Sequence, residues 1–143
     1  DYEVFFSDLR LWIPETRIYT YPDVMVISDQ PEYYANREDT ITNARVIIEV
    51  LSKSTQAYDR GEKFSAYKTI AALQEYILVE QDRMAIEQYS KQANKRWSYR
   101  EYDTEDPVLV FSSFAAEIPL IEIYEKVALA EAETQESAEN SSG

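Results

Sequence analysis

The stretch that most limits the fold is "ARVIIEVLS", residues 44–52, in which Val46, Ile47, Ile48, Val50 and Leu51 make an almost unbroken apolar run. A strand with one wet face alternates apolar and polar residues, so a run apolar at nearly every position reads as a strand buried on both faces. Such a strand needs a covering layer on each side. The period changes directly after it. "STQAYDRGEKFSAYKTIAAL" sets Tyr58, Phe64, Tyr67, Ile70 and Leu73 at spacings compatible with one helix from Ser54 to Leu73, with Ser54 or Thr55 as N-cap. Gly61 is its weak point, because glycine in a helix interior costs about 1 kcal/mol.

Around this unit lie further strands. Val4 to Ser7, Arg10 to Ile13 and Ile18 to Thr20 are rich in aromatic and branched residues, and with Pro14 as a turn they read as a meander leading into a strand from Tyr21 to Ile27. "SDQPEYYANREDTITN" reads as a long loop, and "QEYILVEQ" as the next strand. "RMAIEQYSKQANKRWSYREY" alternates on both sides of "QANK", the pattern of a hairpin. "IPLIEIYEKVALAEAE" places Leu120, Ile123, Tyr124 and Val127 at helical spacing, with Pro119 near the start. Strands, a helix, more strands and a helix define a mixed α/β (α+β) chain, with helices packed on a curved mixed sheet.

The 143 residues suit one domain. We assign it to residues 1–129 and read "AEAETQESAENSSG", residues 130–143, as an acidic disordered tail, since it holds four glutamates and no base. The chain enters a strand almost at its first residue, so N-terminal helices are expected ahead of it. Zero cysteines and zero histidines exclude thiolate chemistry, a histidine base and the usual zinc ligands. Any catalysis must use carboxylates, lysines, tyrosines, backbone groups or an oxygen-loving metal. The net charge is -13, and residues 1–129 alone carry 23 acids against 14 bases, which opposes broad attraction to nucleic acid. No apolar run reaches the roughly 20 residues of a membrane span, and a cytoplasmic location is expected.

Two of the apolar runs each hold one acid: Asp23 in "YPDVMVI" and Glu49 in "ARVIIEVLS". An unpaired carboxylate in a buried strand loses its hydration, so each needs a reason. A structural reason for Glu49 is a cationic partner, and its own strand offers only Arg45, four residues away. A chemical reason is that the two strands are neighbours and the carboxylates share a divalent cation, magnesium or manganese, with a carbonyl near Val50 completing the protein's share. Asp59, Lys63 and Tyr67 follow at i, i+4 and i+8, one face of a helix. From there Lys63 can point its ammonium at an attacking water or a phosphate, and Tyr67 can orient it.

These residues carry a resemblance. "YPDVMVI", "IIEVLSKST" and "YDRGEKFSAYKTIAALQEYILVEQD" resemble, in order and spacing, the PD-(D/E)xK restriction-endonuclease-like superfamily, and more closely its Uma-type endonuclease family, from about Ser7 to Glu125. The resemblance implies a restriction-endonuclease-like core and a metal-dependent nuclease that hydrolyses phosphodiester bonds of nucleic acid, DNA above all. Pro22 and Asp23 match the "PD" element and Glu49 the second acid. Leu51 stands where the superfamily's lysine would be, and Lys63 matches the lysine that replaces it in this family. Asp8 matches a recurring acidic position. Many relatives pair as homodimers. Lys53 stands where the family often has proline, and the family's opening "EYxDGE"-like segment is not present.

Other features have plain explanations. Tyr19, Tyr21, Tyr33 and Tyr34 can stack bases but read first as sheet and edge residues, and the basic stretch Lys91 to Arg100 reads as a solvated hairpin tip. The acidic body and the missing second-motif lysine support an alternative, a non-catalytic interaction or regulatory domain that keeps the nuclease fold.

Overall fold

In the computed structural model, which describes residues 2–6 and 9–127, the apolar run is strand β6 (Val46–Leu51), inside a six-stranded mixed sheet. The spatial order is β1 (Tyr2–Phe6), β4 (Val24–Ser28), β6, β7 (Glu75–Glu80), β8 (Ile86–Ala93) and β9 (Arg96–Tyr102). β6 and β7 run parallel, with Val46 opposite Glu75 and Leu51 opposite Glu80; the other pairs in this sheet are antiparallel. A parallel pair cannot be joined by a tight turn. The crossover is made by two short helices, α1 (Gln56–Arg60) and α2 (Glu62–Tyr67).

The two covering layers that the run demands are both there. One sheet face carries Met25, Ile27, Ile47, Leu51, Tyr76 and Leu78 into a core shared with Phe64 and Tyr67 of α2. The other carries Val26, Val46, Ile77 and Val79 against Leu109, Phe111, Leu120 and Val127. Each such aliphatic side chain, fully buried, contributes roughly 1.5–3 kcal/mol. Centring β6 between two apolar layers thus stabilises the sheet as a whole.

Four expectations are corrected. The helix expected from Ser54 to Leu73 is broken at Gly61, which has φ -103° and ψ -95° and ends α1 as it opens α2. It stops at Tyr67, where the Thr69 and Ile70 N–H groups bond three residues back to Ala66 and Tyr67, and the Thr69 hydroxyl also donates to the Ala66 carbonyl. Such tight bonds close a helix end. Ile70 and Leu73 are buried all the same. Thr55 is the N-cap residue but makes no capping bond, its hydroxyl lying 2.8 Å from that of Ser52.

The meander is the second correction. β2 (Arg10–Ile13) and β3 (Ile18–Thr20) form a hairpin that joins β5 (Thr40–Ile41) in a separate three-stranded sheet, while β1 pairs directly with β4. Leu11, Ile13 and Ile41 point into the α2-side core, so the hairpin folds over that face and does not extend the large sheet. Third, the strand expected from Tyr21 begins at Val24. Pro22 has no N–H to give a ladder. Fourth, the long loop contains β5 and a bridge between Tyr33 and Ile41, and Asn43 pins it by accepting from the Glu32 N–H and donating to the Gln30 carbonyl.

The hairpin at "QANK" turns through Asn94 and Lys95, the latter with φ 63°. β10 (Val108–Val110) pairs with β11 (Glu117–Pro119), and residues 120–127 are helical. The proposed boundary at residues 129/130 and the acidic tail lie outside the described residues, as does Asp8. Among the described residues no helix is long and apolar enough to cross a membrane.

Candidate active site

Asp23 and Glu49 meet through strand register. β4 and β6 pair antiparallel up to Val24 opposite Ile48, and one step further the same register sets Asp23 opposite Glu49. With alternation along each strand, both lie on the face that carries Met25, Ile47 and the helices. Asp23 stands just before β4, where its carboxylate Oδ2 accepts the Val50 N–H at 2.7 Å. A strand residue's N–H and C=O leave on the same edge, so the Val50 carbonyl is on the Asp23 side too.

Glu49 is 4% exposed, in β6 one residue past the last pairing with β4. Lys63 Nζ donates to its Oε2 at 3.0 Å, and the Tyr67 hydroxyl lies 3.3 Å from its Oε1 and 3.2 Å from Thr20 Oγ1. The phenol has one proton, and the carboxylate is the stronger acceptor; Thr20 then donates to the phenolic oxygen. Lys63 Nζ is also 3.5 Å from Asp59 Oδ1. The kink at Gly61 leaves Asp59 and Lys63 on different helices, yet both point inward. Arg45 is not the base that answers Glu49: its Nη2 donates to the Ser113 carbonyl at 2.7 Å.

The electrostatics follow from this crowding. Burial, above all, pushes the Glu49 carboxyl up to about 7; Lys63 pulls it back, and the charges of Asp23 and Asp59 push it further up. For Lys63, burial opposes the charged form, but Glu49 and Asp59 outweigh it and hold its value above that of an ordinary lysine. Its ammonium therefore stays charged. Tyr67 is held strongly toward its protonated form by burial and by Glu49.

The Lys63 ammonium thus stands between Glu49 and Asp59, while Asp23 lies opposite Glu49 on the neighbouring strand. Asp23 and Glu49, opposite one another, outnumber the one ammonium beside them, and carboxylate oxygens are the donors that magnesium and manganese prefer. Among the described residues no three acidic side chains converge closely enough to hold a metal by themselves. The residues that could hold such an ion are Asp23 and Glu49, with the Val50 carbonyl on the same edge.

Sequence reasoning did not find Thr20 or Tyr76. Tyr76 is fully buried, and its hydroxyl donates to the Asp59 carbonyl at 3.0 Å, fixing α1 over the sheet. Its signal was the aromatic residue next to Glu75 in a buried strand; Thr20 gave none. The tyrosines divide. Tyr19 and Tyr34 pack on Trp12, with ring centroids 4.5 and 4.9 Å away, and Tyr19, Tyr21 and Tyr33 are exposed. In the basic hairpin Trp97 packs edge-on against Phe64, and Lys53 is exposed after β6.

The sheet thus has a central parallel pair, a helical crossover on one face, and Asp23 and Glu49 opposite one another on neighbouring strands. In accord with this, the fold is similar to the crystal structure of an Anabaena variabilis protein described as a putative nuclease belonging to DUF820, with a TM-score of 0.66, 19% identity, and coverage of 88% of this chain and 69% of that one. The chain belongs to the Uma2 family, described as putative restriction endonuclease, whose family profile matches residues 1–120. It is 43% identical over 111 residues to the uncharacterized protein sll1609 of Synechocystis, and 38% identical over 123 residues to slr1290 of the same organism. These matches cover 78% and 82% of the chain but 63% of each relative, so the chain spans less than two thirds of their length.

Proposed function

We propose that the protein is a metal-dependent nuclease that hydrolyses phosphodiester bonds of nucleic acid, with DNA as the substrate to test first. The observation that carries this reading is the grouping of Asp23, Glu49 and Lys63 at one end of β4 and β6 with a deficit of positive charge. Asp23, Glu49 and the Val50 carbonyl would hold magnesium or manganese. When bound, such an ion supplies Lewis acidity and a more acidic water. Lys63, charged and 14% exposed, offers N–H donors to a phosphate oxygen and stabilises negative charge that develops there. Because its ammonium stays charged, Lys63 acts as an electrostatic group and not as a base. The Tyr67 phenol fixes the orientation of Glu49 from one side, and the Val50 N–H fixes Asp23.

The test uses purified protein with linear, supercoiled and single-stranded DNA and with RNA, each with magnesium or manganese. Cleavage lost in Asp23→Asn and Glu49→Gln supports the reading; no cleavage of any substrate by the unaltered protein overturns it. A second reading has its own observation. The Lys63–Glu49 ion pair already gives the buried acid a partner, which a non-catalytic domain with the same fold would need. Calorimetry with manganese separates the two: the non-catalytic reading predicts no binding that depends on Glu49.

A further inference from the structure

Asp59 has no place in the chemistry above, yet it is one of the most buried acids in the protein, 3% exposed. Its surroundings show what it does. The α1 backbone at Asp59 is pinned by the Tyr76 hydroxyl at 3.0 Å, and among the described residues the ion pair recorded for its side chain is with Lys63, at 3.5 Å. Lys63 is at 3.0 Å from Glu49, so the ammonium stands between two carboxylates and sits nearer to Glu49.

A divalent cation and an ammonium cannot both take Glu49 Oε2 without strong repulsion in so buried a place. Nor can the ammonium be left there without a carboxylate, because an unpaired buried charge is costly. We infer that Asp59 is a positioning residue: it takes over the Lys63 ammonium when Glu49 turns to a divalent cation, and so keeps Lys63 in the site. The inference rests on the metal reading above and adds to it a residue that touches neither metal nor substrate. The small difference between the two distances means that a short swing of the Nζ group is enough. Gly61 lets α1 and α2 change direction between the two partners, so that both reach the same pocket from separate helices.

The rival role for Asp59 is a fixed negative charge that attracts any cation, with or without Lys63. A binding cycle separates the two. Manganese is titrated calorimetrically into the full chain, Asp59→Asn, Lys63→Met and the double variant, with near-ultraviolet circular dichroism to check each fold. Asp59→Asn is expected to weaken manganese binding about tenfold when Lys63 is present and less than about twofold in the Lys63→Met background. Lys63→Met alone is expected to tighten binding about threefold or more, since it removes the competitor for Glu49. Equal losses from Asp59→Asn in both backgrounds overturn the inference and leave the metal reading intact. No manganese binding by the unaltered chain overturns both. Should Asp59→Asn fail to fold, Asp59→Ser takes its place in the same cycle, where a loss confined to the background with Lys63 supports the inference and equal losses overturn it.

Discussion

The sheet buries two glutamates, and they are satisfied in opposite ways. Glu75, fully buried at the start of β7, accepts from Gln88 Nε2 at 2.8 Å, from the Ser112 N–H at 2.9 Å, from the Ser113 N–H at 3.1 Å and from the Ser113 hydroxyl. All four donors are neutral dipoles fixed by the fold, and those of Ser112 and Ser113 staple the segment after β10 to the sheet. Glu49 instead has one ammonium and one phenol, with Asp23 opposite it and Asp59 behind the ammonium. A closed set of dipoles serves architecture. An acid among further acids, with a movable cation, is a place where charge can be exchanged.

The largest effect expected from this contrast is on activity. Asp23→Asn and Glu49→Gln should each lower phosphodiester cleavage by at least about 10³-fold, while Glu75→Gln leaves the rate of the folded protein unchanged; a gel-based cleavage assay reads both. Stability should show the reverse. Glu75→Ala strands several buried donors and should cost on the order of 3 kcal/mol in urea unfolding. Equal damage to cleavage from the Glu75 variants, measured on folded protein, would dissolve the contrast.

A pH series on metal-free protein sharpens it. The folded Glu49 carboxyl titrates at about 7 against an ordinary 4.5, so the native state binds that proton more tightly than the unfolded chain does. Its contribution to stability is full below about 4.5, declines as pH rises through 7 and is gone above it, a loss on the order of 2–3 kcal/mol. Glu49→Gln should flatten that slope in urea titrations from pH 5 to 8, and an unchanged slope would assign the titration elsewhere. The smallest effect belongs to Tyr67→Phe. It removes one hydrogen bond to Glu49, about 1 kcal/mol in stability, and should lower kcat severalfold with KM unchanged.

Much of this was legible in the residues themselves. "VIIEVL" had to be a strand covered on both faces, and it is, because no other arrangement buries five aliphatic side chains that point alternately up and down. The hairpin at "QANK" follows from alternation on both sides of a turn. The helix after β6 was readable in its apolar spacing but not in its break, since Gly61 only weakens a helix. Tertiary packing decided where the chain bends. The pairing of β1 with β4 was not readable at all, because local patterns name strands and not their partners.

The site divides along the same line. The order Asp23, Glu49, Lys63 could be read from the chain, as could the helical spacing of Asp59, Lys63 and Tyr67. Thr20 could not, for a threonine in a short strand looks like a surface residue until the fold brings the Tyr67 hydroxyl to it. By itself the sequence determined the strands of the large sheet, that one of them lies between two layers, and that its acid needs a cation. Only the tertiary structure decided which cation answers it. Lys63 reaches Glu49 because a helical crossover returns over the parallel pair, whereas Arg45, just before the strand of Glu49, turns away to Ser113. Charge partners in a buried site are set by which elements pack together, and packing is a property of the whole sheet rather than of any one stretch.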